Sequence, residues 1–366
     1  MSERLQLLLL FGGQSFEHEV SVTSAKSMLG ALDNERYSVS IVGITKNGEW
    51  VFIEDPQPVF ERGEVQINDG APVLLDYCGS QRLVGKSETT VNQRVDVVFP
   101  LLHGPNGEDG SLQGLLELSG LAYVGSGIVG SAVGMDKEMM RRAFAACGLA
   151  QTDWRVIRWS DWSNDRKLAL NVCVDQLGFP LFVKPCSLGS SVGINKVYNI
   201  IELESAIDVA LGYDYKCMVE KSVENGREIE CAILGNEAPE PSCLGEIIPG
   251  ADFYNYETKY VDNKSQLVIP AVINAELSRS IQEQAVTAFR AVEAFGLSRV
   301  DFLLSTSNNE VLINEINTMP GFTPISMYPK LWEHSGISYS QLIDRLVKLA
   351  LERFETTKHY KMSNKK

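Results

Sequence analysis

Several features common in small secreted, membrane and zinc proteins are missing from this sequence. Its seven cysteines are scattered singly with no CxxC pair, and no apolar run approaches the length of a membrane span. The four histidines form no HxH or HExxH pattern, which disfavours zinc hydrolysis, and there is no GxSxG elbow of the α/β-hydrolases. Scattered thiols are typical of a reducing compartment, so we expect a cytoplasmic protein without a membrane partner.

Positive charge is also scarce. Lysine and arginine total 33 against 47 aspartates and glutamates, which gives a net charge of −14. A surface of this sign disfavours nucleic acid and anionic membranes as partners. A few local lysines and backbone amides can still bind an anionic nucleotide inside an acidic protein. With 366 residues and 44% apolar composition, the chain is expected to form two or three domains with ample core.

Strand–glycine loop–helix units recur in the first third of the chain. Leu5–Phe11 is apolar but short and without a basic leader, so it predicts a buried strand and not a signal peptide. Val95–Leu102 predicts a second strand, and both are followed by glycine loops and amphipathic helices. The pattern indicates a small parallel α/β domain, whose ligands would bind at the carboxyl ends of strands, near Glu17 and His103. The alternatives are a structural histidine and a glutamate that only pairs with a helix dipole. For residues 45–92 we expect small hairpins or loops.

Residues 299–317 predict a hairpin of two apolar, β-branched strands joined by turn residues. Because strand side chains alternate, Arg299 and Asp301 share one face, and Glu315 and Asn317 share another. If these faces coincide, two carboxylates and an amide oxygen converge beside a guanidinium. Carboxylates ~4 Å apart repel by roughly 4 kcal/mol at an effective dielectric near 20, so they need a cation. Hard oxygen ligands suit Mg²⁺. A solvated polar face, or a simple salt bridge for Arg299, is the alternative.

A loop rich in small residues, Ser187–Gly193, lies between two predicted strands. Such loops let backbone amides approach an anion closely, although a plain hairpin turn is an equal alternative. Lys184 projects from an apolar strand and either reaches solvent or binds phosphate. Lys137 lies in the first turn of a predicted helix, where the dipole disfavours a cation unless an anion compensates it. Together with the hairpin, these features are those expected of a phosphoryl-transfer site.

Seven motifs in fixed order resemble the ATP-grasp ligases, and within them the D-alanine–D-alanine ligases. They are Phe11–Ser21, His103–Gly114, Met135–Lys137, Val183–Gly193, Tyr256–Tyr260, Arg299–Asp301 and Asn314–Gly321. The resemblance spans residues 11 to about 345, and the 45–92 insertion is similar to the longer, A-type subtype. It implies an α/β (α+β) fold of three domains with ATP between the last two. These would be an N-terminal α/β domain (1–135) with the first D-alanine site, a central lid domain (136–222) and a C-terminal antiparallel-sheet domain (223–366) with a closing loop at 250–264.

The resemblance also implies a reaction. ATP would phosphorylate the carboxylate of one D-alanine, and the amine of a second would attack the acyl phosphate to give the D-Ala-D-Ala of peptidoglycan. A homodimer is implied as well. Two Mg²⁺ ions, with Mn²⁺ as a possible substitute, would be held by Asp301, Glu315 and Asn317. The implied ATP-binding residues are Lys137, Lys184, Ser190, Ser191, Glu220, Lys221, Val223, Glu228 and Lys259.

By the same resemblance, Glu17, oriented by His103, would bind the ammonium of the first D-alanine. Ser326 and the neighbouring Met327 would contact the second D-alanine, with Ser326 at its carboxylate. Among the ATP contacts, residues 220–223 would border the adenine and Glu228 the ribose. The implied catalytic residues are Glu17, Ser190, Tyr260, Arg299 and Gly321, of which Ser190 and Tyr260 would hydrogen-bond towards Glu17 while Arg299 and the Gly321 amide would hold the oxyanion.

Two departures and three alternatives accompany this resemblance. Gln14 stands where lysine or threonine is common, and Phe16 where alanine is usual, which bears on the shape of the first-substrate pocket. Tyr260 favours an amine as the nucleophile, because the related D-lactate ligases have a histidine there. A ligase with another acceptor, D-lactate or D-serine, is one alternative, and a non-catalytic nucleotide-binding regulator is a second. A dinucleotide dehydrogenase is the third, but GxGxxG is lacking.

Overall fold

The computed structural model describes residues 4–86, 91–248, 266–323 and 325–363. In this part of the chain, an N-terminal sheet of eight strands is ordered β6-β5-β4-β3-β2-β1-β7-β8. The strands are β1 (Leu5–Gly12), β2 (Tyr37–Ile44), β3 (Trp50–Phe52), β4 (Ala71–Leu75), β5 (Arg82–Gly85), β6 (Asn92–Arg94), β7 (Val97–Leu101) and β8 (Ala122–Tyr123). Its helices are α1 (His18–Ala31), α2 (Gln57–Arg62), α3 (Ser111–Leu118) and α4 (Ile128–Met135).

The centre of this sheet confirms the expected parallel α/β arrangement. Strand β1 runs parallel to both β2 and β7, and β7 runs parallel to β8. The 45–92 segment extends the sheet with antiparallel strands from β3 to β6. It also contains α2, which the expectation of hairpins and loops missed. That helix begins after Pro56 and ends at Gly63, whose φ of +78° is a common way to stop a helix.

A four-stranded antiparallel sheet of order β11-β10-β12-β9 follows in the middle of the chain. The elements are α5 (Lys137–Ala146), β9 (Trp154–Arg158), α6 (Trp159–Asn164), α7 (Arg166–Leu177), β10 (Leu181–Pro185), β11 (Asn195–Val197), α8 (Ile200–Leu211) and β12 (Lys216–Lys221). The sheet has an apolar core of its own, which includes the fully buried Trp162. Helix α5 departs from this unit, because its Met140 and Phe144 pack into the core of the C-terminal sheet.

The C-terminal sheet has the strand order β15-β14-β13-β16-β17 among the described residues. Its elements are β13 (Gly226–Gly235), β14 (Glu240–Ile248), β15 (Gln266–Val268), α9 (Ala275–Ala291), β16 (Gly296–Ser305), β17 (Val311–Asn317), α10 (Met327–His334) and α11 (Tyr339–Ser363). The last helix returns to the N-terminal sheet, where Leu342 and Leu346 join the core around Leu7 and Phe99. No described helix combines the length and apolar character needed to cross a bilayer.

Candidate active site

The β16–β17 hairpin brings its polar faces together. Arg299 lies opposite Asn317 and Asp301 lies opposite Glu315, and the register shifts only after Asp301. The condition stated from the sequence, that the two polar faces coincide, is therefore met. Strand β13 adds Glu230 opposite Asp301 from the other side. No motif indicated this third carboxylate, although the alternation within the strand places it on the same face as Glu228.

Arg299 is the partly buried cation of this cluster, with its side chain 16% exposed. Its Nε and Nη2 each donate to a carboxylate oxygen of Asp301 at 2.7 Å, and Nε lies 3.1 Å from Oε2 of Glu230. Burial opposes the charge of the guanidinium, but Asp301, Glu230 and Glu315 outweigh it and raise the pKa of Arg299 well above its usual value. The arginine therefore stays charged, and it compensates much of the negative charge that the strands bring together.

The three proposed metal ligands lie on adjoining positions of this hairpin. Two are carboxylates, Asp301 and Glu315, and the third is Asn317, whose Oδ1 accepts a hydrogen bond from the Met319 amide at 3.0 Å. Within the described residues, no group of three or more His, Cys, Asp or Glu side chains is arranged to hold a metal. Two carboxylates and an amide oxygen are an incomplete set for Mg²⁺. They fit an ion that takes its remaining ligands from water and substrate phosphates.

Glu17 closes the other side of the site, between β1 and α1. Its backbone amide donates to Ser15 Oγ at 3.1 Å, and Ser15 Oγ donates to the His103 carbonyl at 2.6 Å. Ser190 Oγ, from the loop between β10 and β11, donates to the Glu17 carboxylate. Both Ser190 and Ser191 have positive φ, +51° and +58°, a strained conformation for serine that often marks a functional loop.

His103 lies beside Glu17, but its ring makes other hydrogen bonds. Nδ1 is 3.1 Å from the Met319 carbonyl, and Nε2 is 3.4 Å from Ser24 Oγ. Burial lowers the pKa of His103, and the charge of Glu17 offsets this only in part. Glu17 is thus linked to the backbone of His103 through Ser15. The imidazole itself is close enough to the Glu17 carboxylate for their charges to interact.

Glu108 is a second carboxyl group near Glu17. It falls within the motif His103–Gly114, but no role was predicted for it. It is buried and accepts a hydrogen bond from the Gly104 amide at 2.6 Å. Burial first, and then the charge of Glu17, raise the pKa of Glu108 to about 8. Gly104 has φ of +77°, and a Cβ there would lie 3.1 Å from the Glu17 carboxylate and 3.1 Å from Ser15 Cβ, so a side chain would crowd both residues.

These residues enclose a small cavity of about 120 Å³. It is lined by Glu17, His103, Glu108, Gly189, Ser190, Glu230, Ile247, Leu267, Arg299, Glu315, Asn317, Gly321, Ile325, Ser326 and Met327. At Gly321 a Cβ would lie 2.8 Å from Ser326 Oγ, so a side chain here would displace the Ser326 hydroxyl. The cavity brings together predicted residues from all three sections of the chain.

A large cleft of about 540 Å³ adjoins the small cavity. Its walls include the predicted nucleotide residues Lys184, Ser191, Glu220, Lys221, Val223 and Glu228. Glu230 and Glu315 line both spaces, so the cleft and the cavity meet at the carboxylate cluster. Lys137 lies next to the loop instead of on the cleft wall, and its Nζ donates to the Leu188 carbonyl at 2.6 Å.

Lys184 and Glu220 form an ion pair on the cleft wall. Burial opposes ionisation of this glutamate, but Lys184 and Arg141 lower its pKa below the usual value. The predicted residues Lys259 and Tyr260, with the closing loop 250–264, lie outside the described residues. Their roles therefore stay predictions.

Family models and related sequences of one protein family match nearly the whole chain. Residues 6–126 match the family model described as D-ala D-ala ligase N-terminus, and residues 143–348 match D-ala D-ala ligase C-terminus. The D-alanine–D-alanine ligases of Natranaerobius thermophilus and Acetivibrio thermocellus are 48% and 43% identical, covering 96% and 97% of this chain and 96% and 98% of their own.

Solved structures are similar as well. The D-alanine-D-alanine ligase from Coxiella burnetii has a TM-score of 0.86 and 36% identity, with all of both chains covered. The VanG D-Ala:D-Ser ligase from Enterococcus faecalis has a TM-score of 0.85 and 34% identity, covering 95% of this chain and 100% of that one.

Proposed function

This chain belongs to the D-alanine–D-alanine ligase family, and on that premise we propose how its two adjoining cavities carry out the reaction. The enzyme is an ADP-forming ligase that joins two D-alanines at the expense of ATP, a step of peptidoglycan synthesis in this family. The observation that supports the proposed site is the meeting of the large cleft and the small cavity at Glu230 and Glu315. A phosphate from the cleft can reach a substrate in the cavity at this junction.

The first step uses both spaces. Lys184 and Glu228 are proposed to hold the phosphates and ribose of ATP in the large cleft, while the Glu17 carboxylate holds the ammonium of the first D-alanine. An oxygen of that D-alanine's carboxylate attacks the γ-phosphorus, the bond from phosphorus to the ADP oxygen breaks, and an acyl phosphate forms. Ser190 helps to position Glu17 and to cover the cavity. Exclusion of water protects the acyl phosphate from hydrolysis.

In the second step, the neutral amine of a second D-alanine attacks the acyl carbon. A C–N bond forms and negative charge develops on the acyl oxygen. The C–O bond to phosphate then breaks, and the proton that the amine nitrogen loses is taken up by the leaving phosphate. Arg299 and the Gly321 amide are proposed to stabilise that oxygen, a role worth roughly 3–4 kcal/mol per well-placed donor. Ser326, with Met327 beside it, is proposed to hold the carboxylate of the second D-alanine.

Asp301, Glu315 and Asn317 are proposed to hold two Mg²⁺ ions, with Mn²⁺ as a possible substitute. Asp301 and Glu315 lie opposite each other in the hairpin, and Asn317 lies opposite Arg299. Glu315 lines both the cleft and the cavity, Asp301 lines the cleft and Asn317 lines the cavity. When bound, such an ion neutralises phosphate charge and orients the phosphate that is transferred.

We further propose a cytoplasmic homodimer with no nucleic-acid or membrane partner. All seven cysteines are free thiols, as a reducing compartment favours. A second candidate function differs only in the acceptor substrate, because one similar solved structure is that of a D-Ala:D-Ser ligase. D-Serine as the second substrate is therefore the alternative.

The test is phosphate release with Mg·ATP and D-alanine, together with identification of the product. The proposal predicts one phosphate per D-Ala-D-Ala, and none with L-alanine. Mixtures of D-alanine with D-serine or D-lactate serve as comparisons. A mixed product formed in preference to D-Ala-D-Ala would move the function to the alternative acceptor.

A further inference from the structure

Glu220 on the wall of the large cleft is held by two cations at once. Nη2 of Arg141 lies 2.6 Å from its Oε2, and Nζ of Lys184 contacts its Oε1. Thr152 Oγ1 also donates to Oε2, at 3.2 Å. The Arg141 and Glu220 side chains are only 2% and 4% exposed, whereas Lys184 is 13% exposed and lines the cleft. Arg141 is thus the inner cation and Lys184 the outer one.

Arg141 also connects helix α5 to two strands that border the cleft. It lies four residues after Lys137 on α5, so the two side chains are on one face of that helix. Its Nη2 reaches Glu220 on β12, and its Nη1 donates to the Ile313 carbonyl on β17 at 3.2 Å. Ile313 precedes the proposed metal ligand Glu315 by two residues.

The net charge of the cluster formed by Arg141, Lys184 and Glu220 determines whether Lys184 can bind an anion. Without Arg141, the Lys184–Glu220 pair would be neutral. Rotation of Lys184 away from Glu220 would then leave a buried carboxylate without a cation, which is strongly unfavourable. With Arg141 present, the cluster carries a net charge of +1. Lys184 can then turn from Glu220 towards a phosphate while Arg141 still compensates the glutamate.

We propose that Arg141 is a positioning residue for the nucleotide: by holding Glu220, it frees Lys184 to bind the phosphates. This inference rests on the proposed function of the large cleft as the ATP site. A purely structural role is the competing explanation, since a buried arginine that bridges three elements also stabilises the fold. The two roles differ in what they predict for ligands with and without phosphate.

The experiment measures the affinities of ATP and adenosine for the full chain by calorimetry. Arg141→Met should weaken ATP at least tenfold and adenosine less than twofold, because only ATP needs a free Lys184. Arg142→Met is the matched control: it is the next residue of the same helix, 62% exposed and paired with Glu138 at 2.9 Å. It should bind both ligands as the parent does.

Two further variants keep the test decisive if Arg141→Met folds poorly. Arg141→Lys retains a cation and should keep the ATP affinity within about threefold. Arg141→Met/Glu220→Gln removes the carboxylate that captures Lys184, and should restore the ratio of ATP affinity to adenosine affinity to within about threefold of the parent's ratio, because a change in the adenine contact of Glu220 affects both ligands alike. Circular dichroism and thermal unfolding establish that each variant is folded.

The inference is overturned if Arg141→Met binds ATP as tightly as the parent. It is also overturned if ATP and adenosine weaken equally and Glu220→Gln restores neither, which is the result a structural role predicts. Failure of the parent chain itself to bind ATP would instead contradict the proposed function. The two failures are therefore distinguishable within one series of measurements.

Discussion

Ser190 donates a hydrogen bond to the carboxylate of Glu17, across a separation of 173 positions in the sequence. The serine belongs to the loop between β10 and β11, and the glutamate to the loop between β1 and α1. The bond therefore joins the central sheet to the N-terminal sheet directly over the small cavity. It holds the carboxylate that we propose to bind the ammonium of the first D-alanine.

Removal of this bond should affect the amino acid more than the nucleotide. Hydrogen bonds to charged groups contribute about 1.5–3 kcal/mol, so Ser190→Ala should raise KM for the first D-alanine by roughly 10-fold or more. Steady-state kinetics at saturating ATP measure this change. Ser187→Ala is the control, because the contact of Ser187 with Asp214 uses its backbone amide. Equal D-alanine KM values for the two variants would contradict the role of Ser190.

The carboxylate pair of the hairpin should determine the metal requirement. Asp301→Asn and Glu315→Gln each remove one charged oxygen ligand, so both should lower turnover by about 100-fold and raise the Mg²⁺ concentration needed for half-maximal rate. A Mg²⁺ titration of the initial rate is the measurement. Glu310→Gln, in the exposed turn of the same hairpin, should behave as the parent. Unchanged turnover of Asp301→Asn at limiting Mg²⁺ would exclude this metal site.

Glu108 should make stability depend on pH. Its pKa, ordinarily 4.5, is raised by burial and by Glu17 to about 8, so the folded protein binds a proton that the unfolded chain releases above pH 4.5. The stability from this group is therefore fully present below pH 4.5 and is lost as pH rises to about 8, by an amount on the order of a few kcal/mol. Glu108→Gln should accordingly lose less thermal stability than the parent between pH 6 and pH 9.

Thermal unfolding followed by circular dichroism across that range measures the difference. Glu61→Gln, an exposed substitution on α2, is the control and should follow the parent at every pH. Parallel curves for Glu108→Gln and the parent would mean that Glu108 is ionised in the folded protein at neutral pH.

Phe16 should have little influence on substrate affinity. Its side chain is 61% exposed, and its ring packs edge-on against Tyr213 with 6.4 Å between centroids. The described residues that line the small cavity do not include it. Loss of such an aromatic pair costs protein stability about 0.5–1.5 kcal/mol. Because the ring lies outside the cavity lining, Phe16→Ala should change KM for D-alanine by less than about threefold. A tenfold change in that KM would show that the ring shapes the pocket after all.

The hairpin could be predicted from the sequence because the pattern that specifies it lies within one short segment. Alternation within residues 299–317 fixes which side chains share a face, and the short turn leaves few registers. The strand–loop–helix units were predictable for the same reason. In contrast, α2 was missed because its six residues are too short to show a helical period.

Other parts of the site depend on contacts that no local pattern contains. Glu230 comes from a strand far from the hairpin in sequence, and its pairing with Asp301 follows from the sheet order. The raised pKa of Glu108 requires knowledge of its burial. Arg141 lies on a helix whose period indicates an inner face but not which carboxylate that face meets.

We propose that this chain activates the carboxyl group of one D-alanine with phosphate from ATP and transfers the acyl group to a second. D-Alanine labelled with ¹⁸O in its carboxylate tests this directly, by mass spectrometry of the phosphate and dipeptide formed with Mg·ATP. We predict one ¹⁸O in each phosphate released and one equivalent of D-Ala-D-Ala. Unlabelled phosphate, or phosphate released without dipeptide, would contradict the account.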